Sequence, residues 1–142
     1  MKTAHQQISR AIEELALNLF NTARVDEWAE RMGYSCPKKF ARNFLRHYAV
    51  RPKKVLDYMR LESICKQLRA KQTSNFNIAR QHGILDEIAL NKFINYHLGC
   101  SPNELKKMES EEVRERLDQI LDGTVQERLR YYSDSSGGGN FR

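Results

Sequence analysis

The chain carries an internal repeat of fifty residues, which limits the folds open to it more than any other feature. Shifting the sequence by fifty positions superposes identical residues: Ala29 on Ala79, Gly33 on Gly83, His47 on His97, and Pro52 on Pro102. Apolar residues follow the same shift: Trp28 with Ile78, Phe40 with Leu90, Phe44 with Ile94, and Tyr48 with Leu98. Glycine is typical of a turn and proline of a first helical position. The repeat therefore predicts two copies of one unit: a short helix, a glycine turn, a second helix and a proline-started helix.

Apolar spacing predicts helices throughout, and the first half of the chain has no strand pattern. An amphipathic helix in the first twenty residues is predicted from Ile8, Ile12, Leu15, Leu19 and Phe20. Pro37 and Pro52 suit first helical positions, and the helix that begins at Pro52 is predicted to continue to about Ala70. The predicted fold class is all-α.

Each copy of the repeat has the layout of a helix-turn-helix unit, in which the second helix lies in the DNA major groove while the first braces it. In the first copy, Ala29 allows the two helices to approach closely and Gly33 permits the turn. Phe40 and Phe44 are expected to anchor the second helix to the core. The predicted architecture is two helix-turn-helix subdomains joined by a long linking helix, plus a C-terminal helix and a flexible tail.

Positive charge is concentrated in one part of the chain. The formal net charge is +6 over 142 residues, and the segment 34–60 holds eight Lys or Arg against one acid, Asp57. The segment 108–134 has the opposite balance, with four Arg and eight acids. A localised basic segment is the electrostatic footprint expected of a protein that binds a polyanion.

The predicted second helix of the first copy has two different faces at 100° per residue. One face is apolar and expected to pack in the core: Phe40, Ala41, Phe44, Leu45 and Tyr48. The other face has no acid, and its cations suit contacts to base edges and phosphates: Lys38, Lys39, Arg42 and Arg46. Three further cations are expected to lie beside the phosphates at the start of the linking helix: Arg51, Lys53 and Lys54.

The second copy keeps one cation on the corresponding face. Its residues there are Ile88, Ala89, Lys92 and Tyr96, and Asp86 and Glu87 stand at the start of the helix. Two acids stabilise a helix N-terminus but repel nearby phosphates. This face is therefore expected either to contribute shape fit and contacts to methyl groups, or to read few bases.

These residues resemble the DNA-binding domain of the AraC/XylS family of bacterial transcription regulators. The resemblance spans about 8–107 and rests on "WAERMGYSCPKKFARNFLRHYAVRPKKVLDYMRL" followed by "IARQHGILDEIALNKFINYHLGCSPNELKK". It implies two recognition helices that enter successive major grooves on one face of the DNA. The base-facing positions that it implies are Lys38, Ala41 and Arg42 in the first copy, and Ile88, Ala89 and Lys92 in the second. The chain departs from the family at Ala49, where Gly is common.

The resemblance sets the expected domain boundaries. An AraC-type domain is expected over 1–107, with a first subdomain at about 8–52, a linking helix at 53–70 and a second subdomain at 74–107. An acidic helix is expected over 108–132, followed by a flexible tail over 133–142. The chain has no room for the ligand-binding domain that family members usually carry. A free-standing DNA-binding domain without a small-molecule ligand is therefore expected.

The acidic C-terminal helix has two interpretations. Its apolar stripe includes Val113, Leu117, Ile120, Leu121 and Val125. The simpler interpretation is a helix packed on the domain. The other is a docking surface for RNA polymerase or another protein, or for dimerisation.

Other classes of protein have little support in the sequence. The four histidines are scattered and there is no Gly-rich phosphate loop, so no enzyme activity, cofactor or metal is expected. There is no apolar run of about 18 residues and no secretory signal, so we expect a cytoplasmic protein that does not bind membranes. Cys36, Cys65 and Cys100 are expected to be reduced, packed residues.

The sequence therefore predicts a sequence-specific regulator of transcription that binds double-stranded DNA mainly through the first recognition helix. The alternative is a protein-interaction module that keeps the helix-turn-helix fold and has lost specific DNA reading in its second subdomain.

Overall fold

A computed structural model describes residues 8–121, and its regular structure over that range is entirely helical, which confirms the predicted all-α class. Within this range there are eight α-helices and two short 3₁₀ turns, at residues 8–10 and Leu19–Asn21. The helices are α1 Ala11–Leu17, α2 Val25–Arg31, α3 Pro37–Tyr48, α4 Pro52–Ala70, α5 Asn75–Gln81, α6 Glu87–Leu98, α7 Pro102–Lys107 and α8 Ser110–Asp118.

The fifty-residue repeat is a repeat of backbone structure. Helices α5 and α6 begin and end fifty residues after α2 and α3, and α4 and α7 begin at the paired prolines. The turns also match, because the Tyr34 amide donates to the Ala29 carbonyl and the Ile84 amide to the Ala79 carbonyl, both at 2.9 Å. Gly33 and Gly83 both have positive φ, 88° and 72°, which glycine adopts without steric cost.

The predicted first helix is shorter than expected. Helix α1 ends at Leu17, and the Asn18 side chain donates to the Glu14 carbonyl. Asn competes with the backbone in this way and disfavours a helix interior. Phe20, predicted on the apolar stripe, is half exposed in the following 3₁₀ turn and meets the His82 ring edge-on at 4.9 Å.

Helix α4 is the centre of the molecule. All residues from Val55 to Leu61 are buried, whereas a surface helix buries one stripe. The helices that pack on it come from both copies of the repeat and from the C-terminal part: α2, α3, α5, α7 and α8.

Arg60 in α4 connects the two copies. Its side chain is 7% exposed, and its guanidinium donates to the carbonyls of Ala23, before α2, and of His82, after α5. It also lies over the Phe93 ring of α6, 5.1 Å from the centroid. A single buried cation thus holds the first copy, the linking helix and the second copy together.

We expect Arg60→Ala to lower the free energy of unfolding by about 2–4 kcal/mol, because it removes charged hydrogen bonds and leaves a buried carbonyl without a donor. Urea denaturation measures the change. Arg10→Ala is the control, since Arg10 is exposed and, among the described residues, pairs with Glu13 across one helical turn, and it should change stability by less than about 0.5 kcal/mol. An equal effect of the two variants would contradict the role of Arg60.

His82 makes stability depend on pH. Its Nδ1 faces the Ile78 carbonyl at 2.8 Å and its Nε2 the Ser63 hydroxyl at 2.9 Å. Burial lowers the pKa of His82 below its ordinary value; the contact with the Ile78 carbonyl opposes this shift and the Arg60 charge adds to it. The unfolded chain therefore takes up a proton near pH 6.5 that the folded chain resists, so stability falls as the pH drops below about 6.5.

We expect His82→Gln to reduce the fall in unfolding free energy between pH 7.5 and 5.5 by about 1 kcal/mol, because the variant lacks this titration. Urea denaturation at each pH tests this. Ser63→Ala removes the hydroxyl partner but keeps the imidazole, so it should retain the pH dependence. A fall of the same size in His82→Gln would show that other groups cause it.

The helices α3 and α6 end in the same left-handed conformation with different residues. Ala49 has φ 62° and Gly99 has φ 72°, and each amide donates to the carbonyl four residues earlier. A side chain at positive φ is strained. A Cβ added to Gly99 would meet Arg116 only at an ordinary 3.5 Å, so the backbone sets the cost of substitution there.

We expect opposite effects from exchanging these two residues. Ala49→Gly should raise the unfolding free energy by about 0.5–1 kcal/mol, and Gly99→Ala should lower it by about 1 kcal/mol. Thermal denaturation of the two variants and the parent measures whether each substitution raises or lowers the stability. A loss of stability in Ala49→Gly would mean that unfolded-state entropy outweighs the backbone strain.

Helix α8 packs on α4. Val113 and Leu117 are buried, and the Arg114 guanidinium donates to the Tyr58 hydroxyl at 2.8 Å. The described part of the predicted segment 108–132 thus contains a helix packed on α4 that ends at Asp118, and the docking interpretation stays a prediction. The rest of that segment from 122 and the predicted tail, 133–142, lie outside the described residues. None of the described helices has the length and apolar character required to cross a membrane.

Candidate nucleic-acid interface

An aromatic cluster fixes helix α3 from its inner side. Trp28 of α2 meets Phe40 and Phe44 edge-on, at centroid distances of 5.2 and 5.1 Å, and its Nε1 donates to the Ala11 carbonyl at 3.0 Å. The three rings are fully buried. Aromatic pairs in this geometry stabilise beyond their buried area, so α3 is held in one orientation.

The outer face of α3 is cationic and exposed. Lys38, Lys39, Arg42 and Arg46 are all exposed. Within residues 8–121, no carboxylate forms an ion pair with any of the four. Arg46 makes a long contact of 3.5 Å to the Asn43 amide oxygen. These cations are free to pair with an external anion.

Many other arginines of the described chain serve the fold. They donate to backbone carbonyls, hydroxyls or carboxylates: Arg24, Arg31, Arg60, Arg69, Arg114 and Arg116. Arg69, for example, donates to the carbonyls of Leu105 and Met108. The cations on α3 therefore differ from these in making no comparable contact that holds the fold.

A groove between α3 and the start of α4 brings five predicted site residues together. It is lined by Lys38, Ala41, Arg42, Arg51 and Lys53, with Val25, Leu45 and Pro52 as its apolar part. The prediction that Leu45 anchors the helix is wrong, because Leu45 is 40% exposed at the groove. The aromatic cluster covers only the stripe of Phe40, Phe44 and Tyr48, and Leu45 lies beyond its edge. Lys39, Arg46 and Lys54 are exposed outside the groove.

Lys53 is already paired within the protein. Its Nζ lies 3.1 Å from the Asp57 carboxylate, and the His97 Nε2 lies 3.9 Å from the same group. Burial lowers the pKa of His97, opposed by Asp57 and assisted by Lys53, Arg60 and Lys54. Because His97 belongs to the end of α6, this contact places the start of α4 beside the second copy. Lys53 thus lies in the groove beside α3 and, through Asp57, close to the end of α6.

The outer face of α6 is mainly apolar and amide-bearing. Ile88 is 68% and Tyr96 is 84% exposed, and Leu85, just before the helix, is 69% exposed. Lys92 is exposed and is the single Lys or Arg in α6. Ala89, implied as base-facing, is half-buried and packs against the core, and its amide donates to the Asp86 carboxylate at 2.9 Å.

Asn91 and Asn95 also lie on this face, and the sequence reasoning missed both. They are exposed, and the Asn95 amide donates to the Asn91 backbone carbonyl at 3.0 Å and to its side-chain oxygen. The repeat contained the signal that identifies Asn91, because a shift of fifty residues places it on Ala41. Ala89 corresponds instead to Lys39.

The cysteines are placed differently from one another. Cys65 and Cys100 are buried as expected, but the prediction of packing is wrong for Cys36, which is exposed. Cys36 precedes Pro37 at the start of α3, so its side chain lies outside the helix that packs. Backbone amides of Lys39 and Lys38 lower the pKa of this thiol.

The described residues contain no group of three or more His, Cys, Asp or Glu placed to hold a metal ion. A scan of the chain against protein-family models gave no match, and a search of curated proteins gave none either. The geometry and charge of the two helical faces therefore carry the functional argument.

Proposed function

We propose that this chain is a sequence-specific double-stranded DNA-binding regulator of transcription that acts in the cytoplasm and reads the major groove mainly through α3. The observation that carries the proposal is the outer face of α3: four exposed cations without a carboxylate partner, on a helix whose other face is locked into an aromatic core. The resemblance to AraC/XylS DNA-binding domains supports the same function.

The length of α4 suits this function. Its 19 residues span about 28 Å at 1.5 Å per residue, and recognition helices on one face of B-DNA lie about 34 Å apart. The buried Arg60 holds the two copies in a fixed relation, so both helices can engage without a second chain. Rigid spacing reduces the entropy lost on binding.

The cations divide into two roles. Lys38 and Arg42 line the protein groove between α3 and α4. Long cationic side chains of this kind reach guanine O6 and N7 in the DNA major groove. Arg51 lines the same groove just before α4, and Arg46 and Lys54 are exposed outside it. These three suit phosphates, which fix register without reading sequence. Lys53 contributes less because Asp57 already pairs with it.

We expect Arg42→Glu to weaken binding to a duplex selected from random sequences by about 100-fold, because it removes a base contact and adds a repelling charge. Fluorescence anisotropy measures the affinity, and circular dichroism checks the fold. Lys71→Glu makes the same charge change at the far end of α4 and should have a small effect. Undiminished binding by Arg42→Glu would overturn the proposal.

A companion variant separates base reading from phosphate contact. Arg46→Ala should weaken all duplexes alike and lower the slope of log affinity against log salt by about 1. Arg42→Glu should in addition reduce the preference for the selected sequence over random DNA.

One observation favours a second candidate function. Leu85, Ile88 and Tyr96 expose large apolar surface on the second copy, and exposed apolar patches often mark protein-binding surfaces. On this view the chain is a helix-turn-helix module that binds a protein through α6 and lacks specific DNA reading in its second subdomain. Equal affinity for random and selected duplexes would favour this candidate.

A further inference from the structure

The outer faces of α3 and α6 occupy equivalent positions in the two copies but differ in chemistry. The fifty-residue shift replaces Lys38 by Ile88, Ala41 by Asn91, Arg42 by Lys92, Leu45 by Asn95, and Arg46 by Tyr96. Cationic side chains dominate the first face. Apolar and amide side chains dominate the second, and Ile88 and Tyr96 are among its most exposed residues.

The major groove presents a distinct partner for each kind of side chain. Arg and Lys pair with guanine O6 and N7, Asn pairs with adenine N6 and N7, and apolar side chains contact the thymine methyl group. We propose, resting on the proposed function, that the chain reads a two-part site with a guanine-containing half under α3 and an A·T-rich half under α6. Ile88 contacts a thymine methyl group and Asn91 pairs with an adenine.

The amide of Asn91 is oriented for this role. Its side-chain oxygen accepts a hydrogen bond from the Asn95 amide nitrogen, one helical turn later. The Asn91 Nδ2 is then directed away from Asn95, and the oxygen retains a second lone pair. A donor and an acceptor remain for the N7 and N6 groups of adenine. Asn95 is thus a positioning residue, and Asn91 makes the base contact.

The charges around α6 favour recognition through contacts to base edges over attraction to phosphates. The Asp86 carboxylate is engaged by the Ala89 amide, Glu87 is exposed, and Lys92 is the single Lys or Arg of the helix. Phosphate contacts make affinity depend on salt, whereas contacts to base edges do not release counterions. Helix α3 therefore supplies most of the salt-dependent affinity, and α6 supplies discrimination that salt changes little.

The first experiment is selection of bound duplexes from a random pool by the full chain. We expect two sequence blocks whose centres lie about 10 base pairs apart, one containing guanine and the other A·T pairs. Two guanine-containing blocks, or a single block, would overturn the inference while leaving the proposed function intact. Failure to select any sequence would overturn the proposed function as well. In that case Arg42→Glu and the parent chain would show the same lack of preference among duplexes.

The second experiment tests each contact in the selected duplex. Replacing the thymines of the A·T block by deoxyuridine removes only the methyl groups and should weaken binding by the parent chain about fourfold per contacted methyl. Ile88→Ala should bind the two duplexes equally. Leu17→Ala, which truncates an exposed apolar residue on α1, is the matched control and should keep the parent's difference.

For Asn91, the probe is 7-deazaadenine, which lacks the N7 acceptor. This base should weaken DNA binding by the parent chain by about tenfold and leave DNA binding by Asn91→Ala unchanged. For Asn95→Ala, the weakening caused by 7-deazaadenine should lie between those of the parent and Asn91→Ala. This variant keeps the Asn91 amide but removes the hydrogen bond that orients it. The slope of affinity against salt should stay the same in all of these variants. A lower salt slope in Ile88→Ala or Asn91→Ala would overturn the assignment. So would a variant that the modified base weakens as much as it weakens the parent: deoxyuridine for Ile88→Ala, or 7-deazaadenine for Asn91→Ala.

Discussion

The buried guanidinium of Arg60 is the contact on which the arrangement of the molecule depends. A charge taken out of water is costly unless hydrogen bonds compensate it. The two terminal nitrogens of Arg60 meet this condition by donating to carbonyls before α2 and after α5, and the guanidinium lies over the Phe93 ring, whereas its buried Nε has no hydrogen-bond partner among the described residues. These groups belong to different copies of the repeat, so the guanidinium makes all of these contacts only when both copies are docked on α4. The spacing of the two outer faces follows from that docking.

The chain separates cations that build the fold from cations that remain available. Several arginines bind carbonyls, hydroxyls or carboxylates within the described residues, whereas those on the outer face of α3 do not pair with a carboxylate there. The aromatic cluster around Trp28 makes this possible, because it stabilises α3 by packing alone. The second copy has Ile78 in place of Trp28 and keeps a buried aliphatic core. Its outer face occupies the equivalent position but differs in chemistry.

Proline positions and apolar periodicity predicted the starts of α3 and α4 and the end of α4, but not the burial of every side chain. Pro37 and Pro52 begin helices as predicted, and α4 ends at Ala70. Leu45 and Cys36 were expected to pack and are exposed. Periodicity gives the direction of a side chain around its own helix, but the width of the buried stripe depends on what packs against that helix. The position of Asn91 follows from the repeat once the register is applied residue by residue.

The sequence by itself determined the all-α class, the two copies with their glycine turns, and the concentration of positive charge on one helix. These features are local, since they follow from helical periodicity, from proline and glycine conformations, and from residue identity. Only the tertiary structure decided how the copies face one another, through Arg60 and through the contact of Asp57 with Lys53 and His97. Such contacts join residues far apart in the chain, often through backbone carbonyls that every residue carries, so no sequence pattern identifies them.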